Sequence, residues 1–153
     1  MSANGPQGAS VEQLYRELTD VETAPGTDDR SGDVVDAVTD QLFPGGSFRF
    51  DEELVKNSLD ELLLVLVALR DGDTHGKGLM ENLSSVFDAR LSPGTVYPRL
   101  HDLEDEELLK MHELVRTKEY RIEDPENTRS RIQEAMQQHL ALGFVFYSAL
   151  EEL

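Results

Sequence analysis

The sequence predicts a mainly α-helical fold with a small β-hairpin wing: a winged helix-turn-helix plus a long C-terminal dimerisation helix. Three observations predict it. Three capped apolar helices follow one another after Gly46, two short strand-like runs come next, and an apolar stripe continues to Leu153. That order of elements is typical of the winged helix-turn-helix plan. The predicted boundaries are 1–46 for an N-terminal arm, 47–124 for the domain and 125–153 for the last helix.

The predicted arm differs in composition from the rest of the chain. It contains a Pro-Gly-Thr-Asp-Asp break at 25–29 and two short amphipathic segments, for which Ser10 and Ser31 are the candidate caps. Helices this short are not stable alone in water. We therefore expect a partly mobile arm that docks on the domain and ends at Pro-Gly-Gly, residues 44–46.

Three helix signals define the first part of the domain. Ser58 and Glu61 form a capping box for a helix over about 59–70, which Asp-Gly-Asp at 71–73 would end. Thr74 is the predicted cap of a second helix, over about 75–88. Ser92 followed by a proline opens a third, over about 93–106. The predicted inward faces are Leu79, Met80, Leu83, Val86 and Phe87 on the second helix, and Val96, Leu100 and Leu103 on the third.

The remaining elements are a hairpin and a helix. Two strand-like runs, 109–115 and 119–123, are joined by a tight turn at 116–118, and Asp124 with the proline after it starts the final helix. The final helix carries an apolar stripe at three- and four-residue spacing, which favours a partner helix. Packing within one chain is the alternative. The predicted dimer-interface residues are Ile132, Met136, His139, Leu140, Gly143, Phe146, Tyr147 and Leu150.

The composition excludes several classes of protein. There are no cysteines, so a disulfide framework and a cysteine-type zinc site are excluded. No apolar run approaches a membrane span and no secretory signal is present, so we expect a cytoplasmic protein without membrane contact. The formal charge is −17, from 31 acidic against 14 basic residues. Adaptation to molar salt, an acidic partner-binding tail and disorder all fit such acidity. The regular apolar periodicity argues against disorder.

Motifs for catalysis and cofactor binding are missing from the sequence. The four histidines, His75, His101, His112 and His139, do not have metal-ligand spacing. The glycines at 76 and 78 lack the rest of a phosphate-binding loop. We therefore predict that the chain is not an enzyme and holds no cofactor, apart from monovalent cations considered below.

One segment resembles a known family. Residues 91–104, LSPGTVYPRLHDLE, are similar to the recognition helix of PadR-family transcriptional regulators, and Thr74-His75-Gly76 is similar to the His-Gly that begins the family's second helix. The resemblance implies a winged-helix homodimer that usually represses transcription, with the C-terminal helix as the dimerisation element. Glu107 replaces the family's glycine before the wing, and the wing is short.

The acidity narrows the resemblance to the haloarchaeal branch of the family. That branch includes an oxidative-stress regulator that also lacks cysteine. Some relatives hold flat aromatic effectors at the dimer interface by means of tryptophan. This chain has no tryptophan, which argues against a sensor of such effectors, but Phe144, Phe146 and Tyr147 leave that role open and the effector unknown.

The predicted partner is double-stranded DNA. The N-terminal turn of a recognition helix faces bases and phosphates. We expect Arg99 to reach a guanine edge and basic residues at the wing tip to contact the backbone. Alternatively, Arg99 is only solvated, Tyr97 packs under the wing, and the wing charges serve solubility. The candidate DNA-binding residues are Ser92, Gly94, Thr95, Tyr97, Arg99, Lys77, Arg90, Arg116 and Lys118. A different class of function, an acidic winged-helix protein-interaction module, stays open.

An acidic cluster at the end of the third helix opposes DNA binding. Residues 102–107 include five acids, which would repel phosphates and oppose the helix dipole. We hypothesise that K⁺ or Na⁺ ions bridge acids near Glu104, Glu106 and Glu107 to the DNA. Binding would then take up cations, and the usual loss of affinity with salt would weaken or reverse.

Overall fold

The computed structural model describes residues 29–70 and 74–153. The segment near Ser10 and the Asp-Gly-Asp predicted to end the first helix lie outside these residues. The helices are α1 (Ser31–Leu42), α2 (Glu52–Asn57), α3 (Leu59–Ala68), α4 (Gly76–Phe87), α5 (Pro93–Asp105) and α6 (Pro125–Leu150), and the strands are β1 (Leu109–Glu113) and β2 (Lys118–Ile122). Within the described ranges, no helix has the length and apolarity needed to cross a membrane. The predicted fold class is confirmed.

The core forms around α3, which contacts α4, α5, β2 and α6. Five of its apolar residues are buried, and Leu63, Leu64 and Leu66 have 0% exposure. Burying one such side chain contributes about 1.5–3 kcal/mol. The predicted inward face of α5 is also confirmed, because Val96, Leu100 and Leu103 are 0% exposed. On α4, Leu79, Leu83 and Phe87 are buried, while Met80 and Val86 pack at the edge of the core.

Four predicted helix caps, Ser31, Ser58, Thr74 and Ser92, make no side-chain capping hydrogen bond. Ser58 makes no capping hydrogen bond, because it lies between α3 and a preceding helix, α2, which no sequence signal predicted. The backbone N–H of Ser58 bonds to the Leu54 carbonyl, and Asp51 caps α2. At α4 the cap is His75, whose Nδ1 accepts a hydrogen bond of 2.9 Å from the Gly78 N–H.

Thr74, predicted to cap α4, joins that helix to the wing instead. Its side chain is buried and donates a hydrogen bond to the carbonyl of Tyr120. The Tyr120 N–H returns a bond of 3.0 Å to the Thr74 carbonyl, and His75 forms an isolated bridge with Glu119. The start of α4 is therefore held against β2.

The wing is a two-stranded antiparallel hairpin in the register Leu109 opposite Ile122. The turn is longer than predicted, because the first strand ends at Glu113 and the Leu114 N–H bonds to the Thr117 carbonyl at 2.7 Å. Glu107, before the wing, has φ 62°, the left-handed conformation that a glycine adopts most easily. The backbone geometry implied by the family's glycine is thus kept without that glycine.

Helix α1 docks on α4 through a polar cluster. Ser31 begins this helix but does not cap it; its N–H and hydroxyl both donate to Asp29 Oδ1, at 3.0 and 2.7 Å. Asn82 on α4 donates to Asp29 and Ser31, and accepts a bond of 2.7 Å from Arg70. Burial alone would raise the pKa of Asp29, but hydrogen bonds from Ser31 and Asn82 and the charge of Arg70 lower it below 3.8.

Helix α6 has two different halves. Ile132 and Met136 line an apolar groove of about 270 Å³ formed with α2 and α3 of the same chain. His139 lines it too, and its Nε2 is 3.3 Å from the Ser58 hydroxyl. Beyond it every residue to the end of the helix is exposed, including Phe146 at 67% and Leu150 at 66%. The stripe predicted for the partner is thus partly used within the chain.

Candidate nucleic-acid interface

The N-terminal end of α5 is exposed, as predicted. Ser92 and Gly94 are exposed, and a Cβ built on Gly94 meets only the Ser92 hydroxyl, at 3.8 Å. The backbone here is open to a close approach. Ser92 occupies the cap position but makes no capping bond; its hydroxyl is 3.1 Å from that of Thr95. The N–H groups of Thr95 and Val96 both bond to the Ser92 carbonyl, at 2.9 and 3.1 Å, so the N–H of Gly94 is the one that suits a phosphate oxygen.

Two residues on this face were not among the candidates. Pro98 and His101 are both exposed, and they lie one and two helical turns after Gly94. Opposite the buried Val96 and Leu100, their spacing places them in the centre of the outward face. Their helical spacing from the buried residues predicts this outward position, whereas their residue types, which are neither Lys nor Arg, do not.

A groove beside α5 brings together three of the predicted residues. Lys77, Arg90 and Tyr97 line a shallow groove of about 500 Å³, together with Glu81 and with Pro93 at the start of α5. Lys77 and Arg90 are exposed. Two cations thus flank the open end of the recognition helix in a chain whose total charge is −17.

Tyr97 does not lie on the outward face, which corrects the prediction. It is half-buried and packs against the core. A Cβ on Gly76 would stand 2.6 Å from Tyr97 Cε1, so only glycine fits beneath the ring. The two motifs that carry the PadR resemblance are therefore packed on each other, and Tyr97 positions α5 on α4.

Arg99 also departs from the predicted orientation. Its Nε lies 3.6 Å from Asp60 Oδ1 on α3, and its side chain is 51% exposed. It stands at the edge between the buried and outward faces of α5. In the free chain, the guanidinium is therefore turned toward α3.

The wing carries its cations on exposed positions. Arg116 lies in the turn and Lys118 begins β2, opposite Glu113. Lys110 and Arg121, which the candidate set omitted, are directly opposite each other. Like charges in that position destabilise a hairpin, and the ion pair of Arg121 with Glu119, at 3.4 Å, offsets part of the repulsion.

The acidic end of α5 is partly neutralised within the chain. Glu106 accepts a hydrogen bond of 3.1 Å from Arg131 on α6. Partial burial would lower the pKa of Arg131, but the hydrogen bond and charge of Glu106, then Glu61 and Asp60, raise it above its ordinary value. No cluster of three metal-ligating side chains occurs in the described part of the chain. Glu106 already has a cationic partner, Arg131. The hypothesis of a bridging K⁺ or Na⁺ therefore no longer applies to Glu106.

The buried tyrosine of the wing is also held neutral. Burial raises the pKa of Tyr120 above 10.0, and the charges of Glu104 and Tyr97 add to the shift.

Residues 65–125 match the family model described as Transcriptional regulator PadR-like family. This segment is therefore similar to PadR-like transcriptional regulators. The model begins inside α3 and ends at the first residue of α6, so it covers the helix-turn-helix and the wing described above. The family consists of transcriptional regulators, which supports the prediction that the chain is not an enzyme.

Two curated relatives are named as transcriptional activators. The chain is 40% identical over 101 residues to transcriptional activator GvpE1 of Halobacterium salinarum, which is 66% of this chain and 52% of the relative. It is 44% identical over 95 residues to transcriptional activator GvpE of Haloferax mediterranei, 62% of this chain and 48% of the relative. The chain thus spans about half the length of these relatives. Their source organisms agree with the predicted haloarchaeal branch; the narrower resemblance to the oxidative-stress regulator stays a prediction.

Two solved structures have the same fold. A transcriptional regulator from Clostridium thermocellum superposes with a TM-score of 0.52 at 22% identity, over 64% of this chain and 96% of its own. A PadR-like transcription factor from Bacteroides fragilis gives 0.50 at 18% identity, over 63% and 93%. At these identities the likeness concerns the fold alone. It agrees with the mainly helical, two-stranded architecture.

Proposed function

We propose that this protein is a sequence-specific DNA-binding transcriptional regulator that acts at promoters in the cytoplasm. The observation that carries the proposal is the open N-terminal end of α5, at Ser92 and Gly94, beside a groove in which the cations Lys77 and Arg90 outnumber the one acid, Glu81. An exposed helix start with cations on its flank suits the edge of a major groove. The similarity to PadR-like regulators supports this reading.

The experiment selects duplexes from a random DNA pool with the full chain in molar KCl, and then measures affinity by fluorescence anisotropy. We expect a defined sequence to emerge. Lys77→Ala and Arg90→Ala should each weaken binding roughly threefold or more on every duplex, because phosphate contacts position rather than specify. Lys56→Ala, on α2 and away from the groove, is the matched control. Failure to enrich any sequence would support the acidic protein-interaction module instead.

We propose that the active form is a homodimer held by the second half of α6. Beyond His139, the helix exposes Leu140, Phe144, Phe146, Tyr147 and Leu150, at 38 to 67% each. Exposed apolar surface of this extent on one helix is typical of a protein interface. Two recognition helices would then enter successive major grooves of a semi-palindromic operator.

We also propose an unusual response to salt. The acids Glu104 and Glu107 make no ion pair among the described contacts, whereas Glu106 is paired with Arg131. Bridging K⁺ or Na⁺ at the first two would make binding take up cations. A slope of log affinity against log KCl that is flat or positive is expected, and a steep negative slope up to molar salt would contradict it.

The direction of regulation is a separate point. The family resemblance predicts repression, whereas the two curated relatives are named activators. Transcription in vitro from a promoter that carries the selected duplex, with and without the protein, decides between the two.

A further inference from the structure

A carboxylate stands where three helices meet. Asp60 lies in the first turn of α3, and its side chain is only 20% exposed. Arg99 of α5 and Arg131 of α6 approach it from two sides, with Nε 3.6 Å from Oδ1 and Nη2 3.5 Å from Oδ2. One carboxylate therefore connects the recognition helix with the helix proposed to hold the dimer.

The two arginines are held with unequal strength. Arg131 is 33% exposed and lies within 4 Å of Asp60, Glu61 and Glu106, at 3.5, 3.9 and 3.1 Å. Arg99 is 51% exposed, and Asp60 is its one acidic partner within ion-pair distance in the described part of the chain. At 3.6 Å the Arg99 contact is longer than a hydrogen bond, and Asp60 Oδ1 is buried without any hydrogen-bond partner. Of the two arginines, Arg131 is held in place by several acids, whereas Arg99 can leave Asp60 more easily.

The orientation of Arg99 bears on DNA reading. Turned toward α3, its guanidinium points away from the outward face defined by Gly94, Pro98 and His101. A guanidinium that binds a guanine edge must turn toward that face. Breaking the ion pair between Arg99 and Asp60 costs little free energy, because Arg131 stays beside Asp60 and still compensates the charge of the carboxylate. A half-exposed ion pair changes an equilibrium by about fivefold at most, whereas a good arginine–guanine contact changes it by about fivefold to 150-fold.

We propose that Asp60 is a positioning residue for DNA recognition: it holds Arg99 against α3 in the free protein and releases it to the DNA, while Arg131 keeps the carboxylate neutralised. This inference rests on the proposed function. It makes Asp60 a competitor of the operator for the same side chain. Since salt screens an exposed ion pair, the hold of Asp60 on Arg99 weakens as the KCl concentration rises.

The test is a double-mutant cycle on the selected duplex. At the lowest KCl concentration at which the chain stays folded, Asp60→Asn should raise affinity about three- to fivefold, the size of the ion pair that no longer competes. In an Arg99→Ala background the same substitution should have no such effect. Glu61→Gln is the matched control: it removes the same charge from the next residue of α3, and the ion pair it loses is with Arg131 rather than Arg99. The gain from Asp60→Asn should shrink as KCl is raised.

Three results would overturn the proposal. Asp60→Asn and Glu61→Gln having equal effects would show only a change in overall charge. A gain that persists with Arg99→Ala would place the effect elsewhere, and a loss of affinity in Asp60→Asn would show that Asp60 prepares Arg99 for DNA. In all three cases DNA binding itself remains, so the proposed function survives. If the chain selects no duplex at all, that result contradicts both the proposed function and the proposal for Asp60.

A measurement on the unmodified chain guards against misfolding of the variant. The Nε–H resonance of Arg99, assigned by its disappearance in Arg99→Lys, is followed by NMR as the selected duplex is added. Transfer from Asp60 to a base should shift it, while the Nε–H of Arg131 stays in place. An Arg99 resonance that does not move on saturation with DNA would overturn the proposal.

Discussion

Helices α3 and α6 are both rich in leucine and other apolar residues, yet they end in opposite environments. Leu63, Leu64 and Leu66 of α3 are 0% exposed, whereas Phe144 and Phe146 of α6 are exposed by 63 and 67%. Helix α3 is surrounded because α4, α5, β2 and the first half of α6 all pack on it. The second half of α6 extends past them. An apolar stripe therefore predicts burial, but the available neighbours decide whether one chain provides it.

The largest effect is expected in α3. Leu63→Ala should lower the free energy of unfolding by about 3 kcal/mol, because it leaves a cavity in a fully packed core. Urea unfolding in molar KCl measures it. Val115→Ala is the control, since Val115 lies in the turn of the wing, outside both helices, and is fully exposed. Equal losses in the two variants would contradict the burial of Leu63 in a fully packed core.

The next effect concerns association. Phe146→Asp should weaken the homodimer at least a hundredfold while the domain stays folded, because a charge is placed in the exposed apolar stripe of α6. Sedimentation velocity over a range of concentrations measures it. Ser148→Asp adds the same charge on another side of the helix, where the Ser148 hydroxyl bonds only to the Phe144 carbonyl. A wild-type chain that is monomeric at every concentration would contradict the proposed dimer.

A residue between the two environments gives an intermediate effect. Ile132 belongs to α6 but packs at the edge of the core. Ile132→Ala should cost about 1–2 kcal/mol of unfolding free energy, less than Leu63→Ala because the site is already partly exposed. The loss should be the same at low and high protein concentration. A loss that grows on dilution would assign Ile132 to the dimer interface instead.

The smallest effect is on the backbone before the wing. Glu107→Gly should stabilise the domain by about 0.5–1 kcal/mol, because Glu107 has φ 62° and glycine adopts that conformation without steric cost. Thermal unfolding measures it, and the dimer constant should not change. Asp105→Gly, which removes the same charge from a residue of α5, should give no such gain, because Asp105 is already in the helical conformation.

Local sequence signals predicted most of the elements. The recognition helix was predicted at 93–106 and is found at Pro93–Asp105, since a proline at its first position and the spacing of Val96, Leu100 and Leu103 are local properties. The caps were less predictable. Ser58 and Thr74 have the right side chains for capping, but a preceding helix and a strand from the wing, respectively, engage them. Such partners are distant in sequence and cannot be read from spacing.

The residues of the candidate site also fall into two groups, those whose exposure the sequence predicted and those whose orientation it did not. Ser92, Gly94, Lys77 and Arg90 are found exposed around the start of α5, as predicted. The orientations of Tyr97 and Arg99 were not predictable, because they depend on a glycine 21 residues earlier and on a carboxylate 39 residues earlier in the chain.

The sequence by itself determined the helix-turn-helix with its hairpin, the acidic character and the PadR-like segment, because periodicity, composition and a local motif specify these. The tertiary structure decided which apolar faces are satisfied within the chain and which carboxylate holds Arg99. Both depend on which surfaces meet when helices distant in sequence pack together, and no local pattern carries that information.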